Sequence, residues 1–120
     1  MIIQAERMRI EHDSDNDLYL IDFRDEEKGL RGKIEIPSKI VAMEDMKSFE
    51  IEVIPRDSIS DPLDYSNAKI AFNAINFRTK PIGAEKVYSF SAGGLILRIF
   101  SSAPLKEFKT VLKEFVIVVR

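Results

Sequence analysis

The chain has 120 residues, of which 45% are hydrophobic, and this is enough for one domain whose packed core needs neither a metal nor a disulfide. It contains no cysteine, which excludes disulfide frameworks, thiolate metal sites and cysteine nucleophiles and favours a reducing compartment. The net charge of −2 hides an uneven distribution, because residues 1–60 hold nine lysines and arginines against fifteen acidic residues, whereas residues 61–120 hold nine against five.

Hydrophobicity along the chain gives no sign of a membrane segment. No apolar run reaches the roughly 18 residues of a membrane span, and the first residues lack the pattern of a signal peptide. We therefore expect a soluble cytoplasmic protein with no membrane contact. Eight of the eleven aromatic residues lie in the more basic second half, which indicates either a nucleic-acid face or a polar partner surface.

Alternation of polar and apolar residues predicts strands through the first half of the chain. Prolines at positions 37 and 55 end two of these strands, because proline cannot donate to a sheet ladder. The predicted strands are Met8–His12, Leu18–Arg24, Leu30–Ile36 and Phe49–Pro55.

The second half opens with a polar loop over residues 57–67 and continues with an extended segment, Lys69–Arg78, that is apolar on both faces. Such a strand is buried on both sides, either by its own fold or by a partner. Leu105, Phe108 and Leu112 then have helical spacing, which predicts a short helix or a compact loop near 104–112. The β-branched run Phe115–Val119 predicts a central strand.

A tight hairpin is predicted at Gly93-Gly94, because glycine adopts the positive φ angles of the favoured two-residue turns without steric cost. The predicted register places one apolar face on the core, with the pairs Ala92–Leu95, Phe90–Leu97 and Tyr88–Ile99. The opposite face carries Ser91–Ile96, Ser89–Arg98 and Val87–Phe100. That second face is too apolar for solvent and too polar for a core, so we expect something to cover it.

About eight short strands separated by turns predict an all-β domain spanning residues 1–120, and we favour a small antiparallel Greek-key barrel, which removes exposed sheet edges. No internal repeat or interdomain linker is visible in the sequence.

Catalytic and metal-binding patterns are not found. His12 is interpreted as a solvated strand end, and Asp13, Asp15 and Asp17 as a polar turn, since the positions where a calcium loop needs glycine and glutamate hold Leu18 and Arg24. Neither Ser89 nor Ser91 has a local motif that would activate its hydroxyl. We therefore expect no enzyme activity from the chain itself, and no cofactor, metal or small-molecule substrate.

The order of features in residues 61–120 resembles the eighth subunit of eukaryotic RNA polymerases and its archaeal counterpart. An acidic loop with Asp61, Asp64 and Tyr65 is followed by an extended strand, by the hairpin segment 90–99 and by the final strand ending at Arg120. The family pattern is aromatic-Ser-aromatic-Gly-Gly-Leu-Leu-Met-Arg-Leu, a short loop and an aliphatic last strand with basic residues at its end. Ala92 departs from this pattern, because an aromatic residue usually precedes the glycines.

The resemblance implies an eight-stranded antiparallel barrel of the oligonucleotide/oligosaccharide-binding type and a non-catalytic subunit that docks on the largest polymerase subunit, supports assembly and has weak affinity for single-stranded nucleic acid. The candidate partner interface comprises Val87, Ser89, Gly93, Gly94, Ile96, Arg98 and Phe100. The alternative is that the segment 101–113 covers this face within the chain.

A second hypothesis is a free-standing single-strand binder, which needs aromatic platforms and cations along the backbone path. The candidate nucleic-acid contacts are Phe72, Phe77, Arg78, Lys80 and Lys86, with Arg98 beside them.

Overall fold

The computed structural model describes residues 1–58 and 65–120, and the strands in these ranges confirm the all-β prediction. Asp61 and Asp64 of the predicted acidic loop lie outside the described residues. Two short 3-10 turns, Arg56–Ser58 and Lys106–Phe108, complete the regular structure of the described ranges. The eight strands are β1 (Ile2–Asp13), β2 (Leu18–Asp25), β3 (Leu30–Pro37), β4 (Ser48–Pro55), β5 (Ile70–Ile82), β6 (Glu85–Ala92), β7 (Leu95–Ser101) and β8 (Glu114–Val119).

The strands form one closed antiparallel barrel in the order β1-β2-β3-β7-β6-β5-β8-β4, with β4 next to β1. Within this ring, β4-β1-β2-β3 and β8-β5-β6-β7 each have the strand order of a Greek key. The predicted Greek-key barrel is confirmed, and it is built from two keys of the same topology.

Side-chain positions repeat between the two keys. Ala5 pairs with Phe49 at the junction of β1 and β4, and Ala74 pairs with Phe115 at the junction of β5 and β8. All four side chains are buried. The sequence showed no internal repeat, because the two keys share pairing geometry and core positions but few residue identities.

The predicted hairpin register is confirmed. Ala92 pairs with Leu95, Phe90 with Leu97 and Tyr88 with Ile99, while Gly93 and Gly94 have φ values of 58° and 96°. The inward face of this hairpin is buried in the barrel core. β8 lies between β4 and β5 and is buried along nearly its whole length, as predicted for a central strand.

Each long strand contains one bulge. The pairing of β1 with β2 shifts between Arg7 and Arg9, and that of β5 with β6 shifts between Asn76 and Arg78, so Met8 and Phe77 are the extra residues. A bulge interrupts period-two alternation, and this is why the sequence prediction started the first strand at Met8 although β1 begins at Ile2. Only one side of β5 is covered by the fold, because Ala71, Ile75 and Phe77 are exposed on the other.

The connections that close the two keys, residues 38–47 and 102–113, fill opposite ends of the barrel. Met43 is fully buried at one end and Phe108 at the other, where Phe108 contacts the inward-facing rings of Tyr88 and Phe90. The segment near 104–112 is therefore a compact loop with one 3-10 turn. Its buried side chain, Phe108, enters the core from the barrel end and so does not lie on the outer hairpin face.

In the described ranges, no helix has the length and apolar character that a membrane span requires.

Candidate docking face

The outward-facing side chains of β6 and β7 lie on the barrel exterior, and we call this surface the hairpin face. Cross-strand pairing places Val87 beside Phe100, Ser89 beside Arg98, and Ser91 beside Ile96. On one side the face continues onto β5 through Ile75, Arg78 and Lys80, and on the other onto β3 through Arg31 and Lys33.

Part of the hairpin face is already covered by the chain itself. Val87 and Ser89 are each only 5% exposed, so they have little surface to offer a partner. The guanidinium of Arg31 lies 4.2 Å from the centre of the Phe100 ring and is held there by Glu85, whose Oε1 is 2.7 Å away. The expectation that something covers this face is therefore met within the chain for its central row.

Three of the predicted interface side chains keep accessible surface. Ile96 and Phe100 are half-buried and Arg98 is exposed. The backbone N–H of Ile96 donates to Glu35 Oε1 at 2.7 Å, where the ladder between β3 and β7 has ended at Ile34 and Leu97. The remaining apolar surface is thus displaced toward the hairpin tip.

Gly93 and Gly94 form that tip and are exposed, with open space where a Cβ would lie. A surface pocket of about 390 Å³ adjoins Gly93, with Ile75 and Ser91 on its wall and Arg56 and Glu114 at its rim. The tip therefore borders a concave surface that contains apolar side chains and charges of both signs.

The predicted nucleic-acid contacts are not brought together as one set. Phe72 is half-buried and packs against the core, whereas Phe77 is the exposed bulge residue five positions further along β5. At about 3.3 Å per residue, the two rings start roughly 16 Å apart, too far for adjacent bases to use both.

The cations of the set do share a surface. Arg78 and Arg98 flank Ser89 in one cross-strand row, and Lys33 follows in the same row. Across residues 1–58 and 65–120, no ion pair joins Arg78, Lys80, Lys86, Arg98 or Lys33 to a carboxylate. The row continues from Lys33 to Asp22, and Glu11 and Glu35 line one surface pocket together with Lys33 and Arg98, so acidic side chains border the cations on this side. On β4, by contrast, the carboxylates of Glu50 and Glu52 both pair with Arg120.

Of the exposed apolar side chains near this surface, Phe77 was predicted as a contact residue from the sequence, whereas the exposure of Val111 and Leu112 was not. Leu112, which shares the predicted helical spacing of Leu105 and Phe108, is 73% exposed, and Val111, Ile75 and Phe77 are also exposed. The helical spacing of Phe108 and Leu112 does not place them on one face, because the helical structure is a single 3-10 turn that ends at Phe108, before Leu112. No pattern in the Thr-Val-Leu-Lys segment distinguishes an outward leucine from an inward one.

Hydrogen bonds shift the pKa of two side chains in the first half of the chain. Hydrogen bonds from the Asn16 side chain and backbone lower the pKa of Asp13, and they confirm the polar turn predicted there. The hydroxyl of Tyr19 donates to Glu44 Oε1 at 2.9 Å, and this bond raises the pKa of Tyr19. In the part of the chain that the structure describes, no three acidic or histidine side chains are grouped as a metal site would require.

Comparison with protein-family models and with curated proteins found no match to this sequence. The likeness to the polymerase subunit family therefore rests on the hairpin, the arginine and the terminal strand noted in the sequence.

Proposed function

We propose that this protein is a non-catalytic assembly subunit of a cytoplasmic, multisubunit DNA-directed RNA polymerase and docks on its largest subunit. The observation that carries the proposal is the outward row Ile75–Ser91–Ile96, an apolar surface beside the glycine tip of a barrel that is otherwise closed. Because the strands close into a barrel, most of the surface open to a partner consists of outward-facing side chains, and this row is one such surface.

Two further features support the proposal. The chain forms eight antiparallel strands, which is the number that the resemblance implies, and the hairpin has the predicted register. Arg98 projects from the same face and provides a polar anchor next to Ile96. The more specific relation to the oligonucleotide/oligosaccharide-binding fold stays a prediction.

The test is purification of the tagged chain from its native cells at low salt, followed by mass spectrometry of the bound proteins. We expect the large polymerase subunits in the eluate. Ile96→Asp should abolish this association, whereas the control Ile2→Asp, which changes an exposed isoleucine on the β4 side of the barrel, should not. Elution of the wild-type chain without polymerase subunits would refute the proposal.

A free-standing single-strand binder is the second candidate, and the row Arg78–Ser89–Arg98–Lys33 favours it, because these cations have no ion-pair partner among the described residues. Affinity for a fluorescent oligonucleotide should then fall steeply with salt, and Arg78→Ala with Arg98→Ala should reduce the slope by about 2. An oligonucleotide that shows no binding at low ionic strength excludes this candidate.

A further inference from the structure

Strand β1 has a free edge over its second half. Its ladder with β4 spans residues 2–6 and ends with one further bond, from the N–H of Arg7 to the carbonyl of Lys47, whereas its ladder with β2 continues to Asp13. Within residues 1–58 and 65–120, the backbone of residues 8–13 makes no backbone–backbone hydrogen bond outside its ladder with β2. Most side chains of this segment are exposed. The edge is therefore open to another extended chain.

The backbone groups of Ile10 face this edge. Because Arg7 directs its N–H away from β2, it and its cross-strand partner Phe23 form a pair without mutual hydrogen bonds. The next residue of β2, Asp22, therefore directs its backbone groups at β1, where its partner beyond the bulge is Arg9. Ile10 follows Arg9, so its N–H and C=O point away from β2 and toward the free edge.

The charges along the edge are complementary about Ile10. Residues 7–13 read Arg-Met-Arg-Ile-Glu-His-Asp. When two copies pair antiparallel about a twofold axis at Ile10, Arg9 of each copy lies opposite Glu11 of the other, and Met8 lies opposite His12. Moving the axis by one residue places Arg9 opposite Arg9 or Glu11 opposite Glu11, and like charges at directly opposed positions are destabilising. The sequence of the edge thus selects one register for self-pairing.

The side chains of Arg9 and Glu11 are positioned for this contact. They lie on the same side of β1, where Arg9 Nη2 is 2.6 Å from Glu11 Oε1 within one chain, and both are exposed. The other charged groups beside the edge are Arg7, Asp13, Asp22, Glu44, Asp45 and Lys47. Carboxylates outnumber cations among them, so net charge does not draw two copies together, and the order of Arg9 and Glu11 along the edge has to specify the contact.

The second key has a corresponding free edge that is protected against self-pairing. The ladder of β5 with β8 ends at Ile75, whereas its ladder with β6 continues to Ile82. This edge contains Pro81, which has no N–H to donate, and its charges, Arg78 and Lys80, have one sign. Two copies of it would place cations opposite each other. The edge of β1 has neither device, and its charges attract a second copy.

We propose that two copies of this chain associate through the free edge of β1, paired antiparallel about a twofold axis at Ile10, so that one sheet continues through both barrels. The inference goes beyond the proposed function and does not depend on it. The ladder is short, so the dimer is weak, with a dissociation constant on the order of 10–100 μM. Ile10 donates to and accepts from its own symmetry mate, and the Arg9–Glu11 pairs flank this contact on both sides.

Charge reversal at the edge tests the interface, and sedimentation velocity of the purified chain over a range of concentrations measures dimerisation. Arg9→Glu places carboxylates opposite each other at two symmetry-related positions, so we expect it to weaken dimerisation by about tenfold or more. The double variant Arg9→Glu with Glu11→Arg exchanges the charges and keeps every opposed pair complementary, so it should dimerise as the wild type does. Similar urea midpoints in dilute solution check that these surface variants fold alike.

The matched control is Arg78→Glu. Arg78 follows the bulge residue Phe77 on β5 as Arg9 follows Met8 on β1, it is exposed, and its reversal changes the net charge by the same amount. We expect wild-type dimerisation for this variant. In a second measurement, amide hydrogen exchange at Ile10 should slow as the protein concentration rises, because its N–H donates across the axis in the dimer.

Each outcome decides the inference. A chain that stays monomeric up to about 1 mM refutes it. A dimer that Arg9→Glu leaves unchanged is formed through another surface, and the inference is then wrong. Exchange at Ile10 that is slow at every concentration means that the edge is covered within one chain, which also overturns it. None of these results bears on the polymerase proposal, which concerns β6 and β7 and is tested by co-purification.

Discussion

Replacement of Phe108 by alanine tests whether the connection 102–113 is an integral part of the barrel core. The side chain is fully buried, and its ring meets those of Phe90, Phe115 and Tyr88 edge-on at centroid distances of 5.0, 5.4 and 5.8 Å. Truncation of a buried phenylalanine to alanine costs about 3–5 kcal/mol, and three edge-to-face contacts place this site at the upper end, near 4–5 kcal/mol. Domains of this size have only about 5–15 kcal/mol of stability.

The free energy of unfolding of the wild type and of Phe108→Ala is measured by urea titration followed by circular dichroism. An unchanged m-value is evidence that the two proteins unfold from the same compact state. Phe108→Leu is the control, and it should lose less because leucine fills most of the space. Met43→Ala at the opposite end should cost about 2–5 kcal/mol, since Met43 occupies the equivalent place in the other connection. A loss below about 1.5 kcal/mol for Phe108→Ala would refute the role of this residue as a core plug.

Three further outcomes are expected. Gly32→Ala should lower the unfolding free energy by about 1–3 kcal/mol, because its Cβ would lie 2.4 Å from Cζ of Phe23, and the urea midpoint measures this. Arg120→Met should lower the free energy of unfolding by about 1 kcal/mol, and by less at high salt, because Arg120 forms two partly buried ion pairs with Glu50 and Glu52 of β4. A variant as stable as the wild type in urea denaturation would contradict this. The pKa of Tyr19 is raised from 10.0 by Glu44, so the stability it contributes is complete below pH 10 and is lost as the pH rises through the higher folded value. Ultraviolet titration of the wild type and Tyr19→Phe should differ by one late-titrating tyrosinate, and two curves that differ by a tyrosinate of ordinary pKa would refute the raised pKa of Tyr19.

The parts of the fold that depend on local rules could be predicted from the sequence. Adjacent glycines fix the turn between β6 and β7, and period-two alternation then fixes which side chains enter the core. The same reasoning located five strands, β2, β3, β4, β7 and β8, to within a few residues of their observed ends. These elements are regular, so residue pattern and geometry correspond directly.

The bulges and the closing connections could not be predicted from the sequence, because they depend on contacts distant in sequence. Nothing around Met8 or Phe77 distinguishes a bulge residue from an ordinary strand residue, yet each bulge reverses the inward and outward alternation that follows it. The turn that carries Leu112 is fixed by four hydrogen bonds with Asn76, which donates two and accepts two and lies far away in the chain. The covered state of Val87 and Ser89 likewise depends on neighbouring strands, which a single hairpin pattern does not contain.

The two Greek keys provide an internal standard for separating features that the barrel needs from features that it does not. Both keys have a bulge, a buried plug and an alanine–phenylalanine pair, so these are requirements of the architecture. The two keys differ at Leu112, which is exposed where Met46 is half-buried, and at Arg78 and Arg98, which form no ion pair within residues 1–58 and 65–120 and stand in one row with Lys33 of the first key. The barrel architecture does not account for these differences, and they lie in the half of the chain that carries the proposed docking surface.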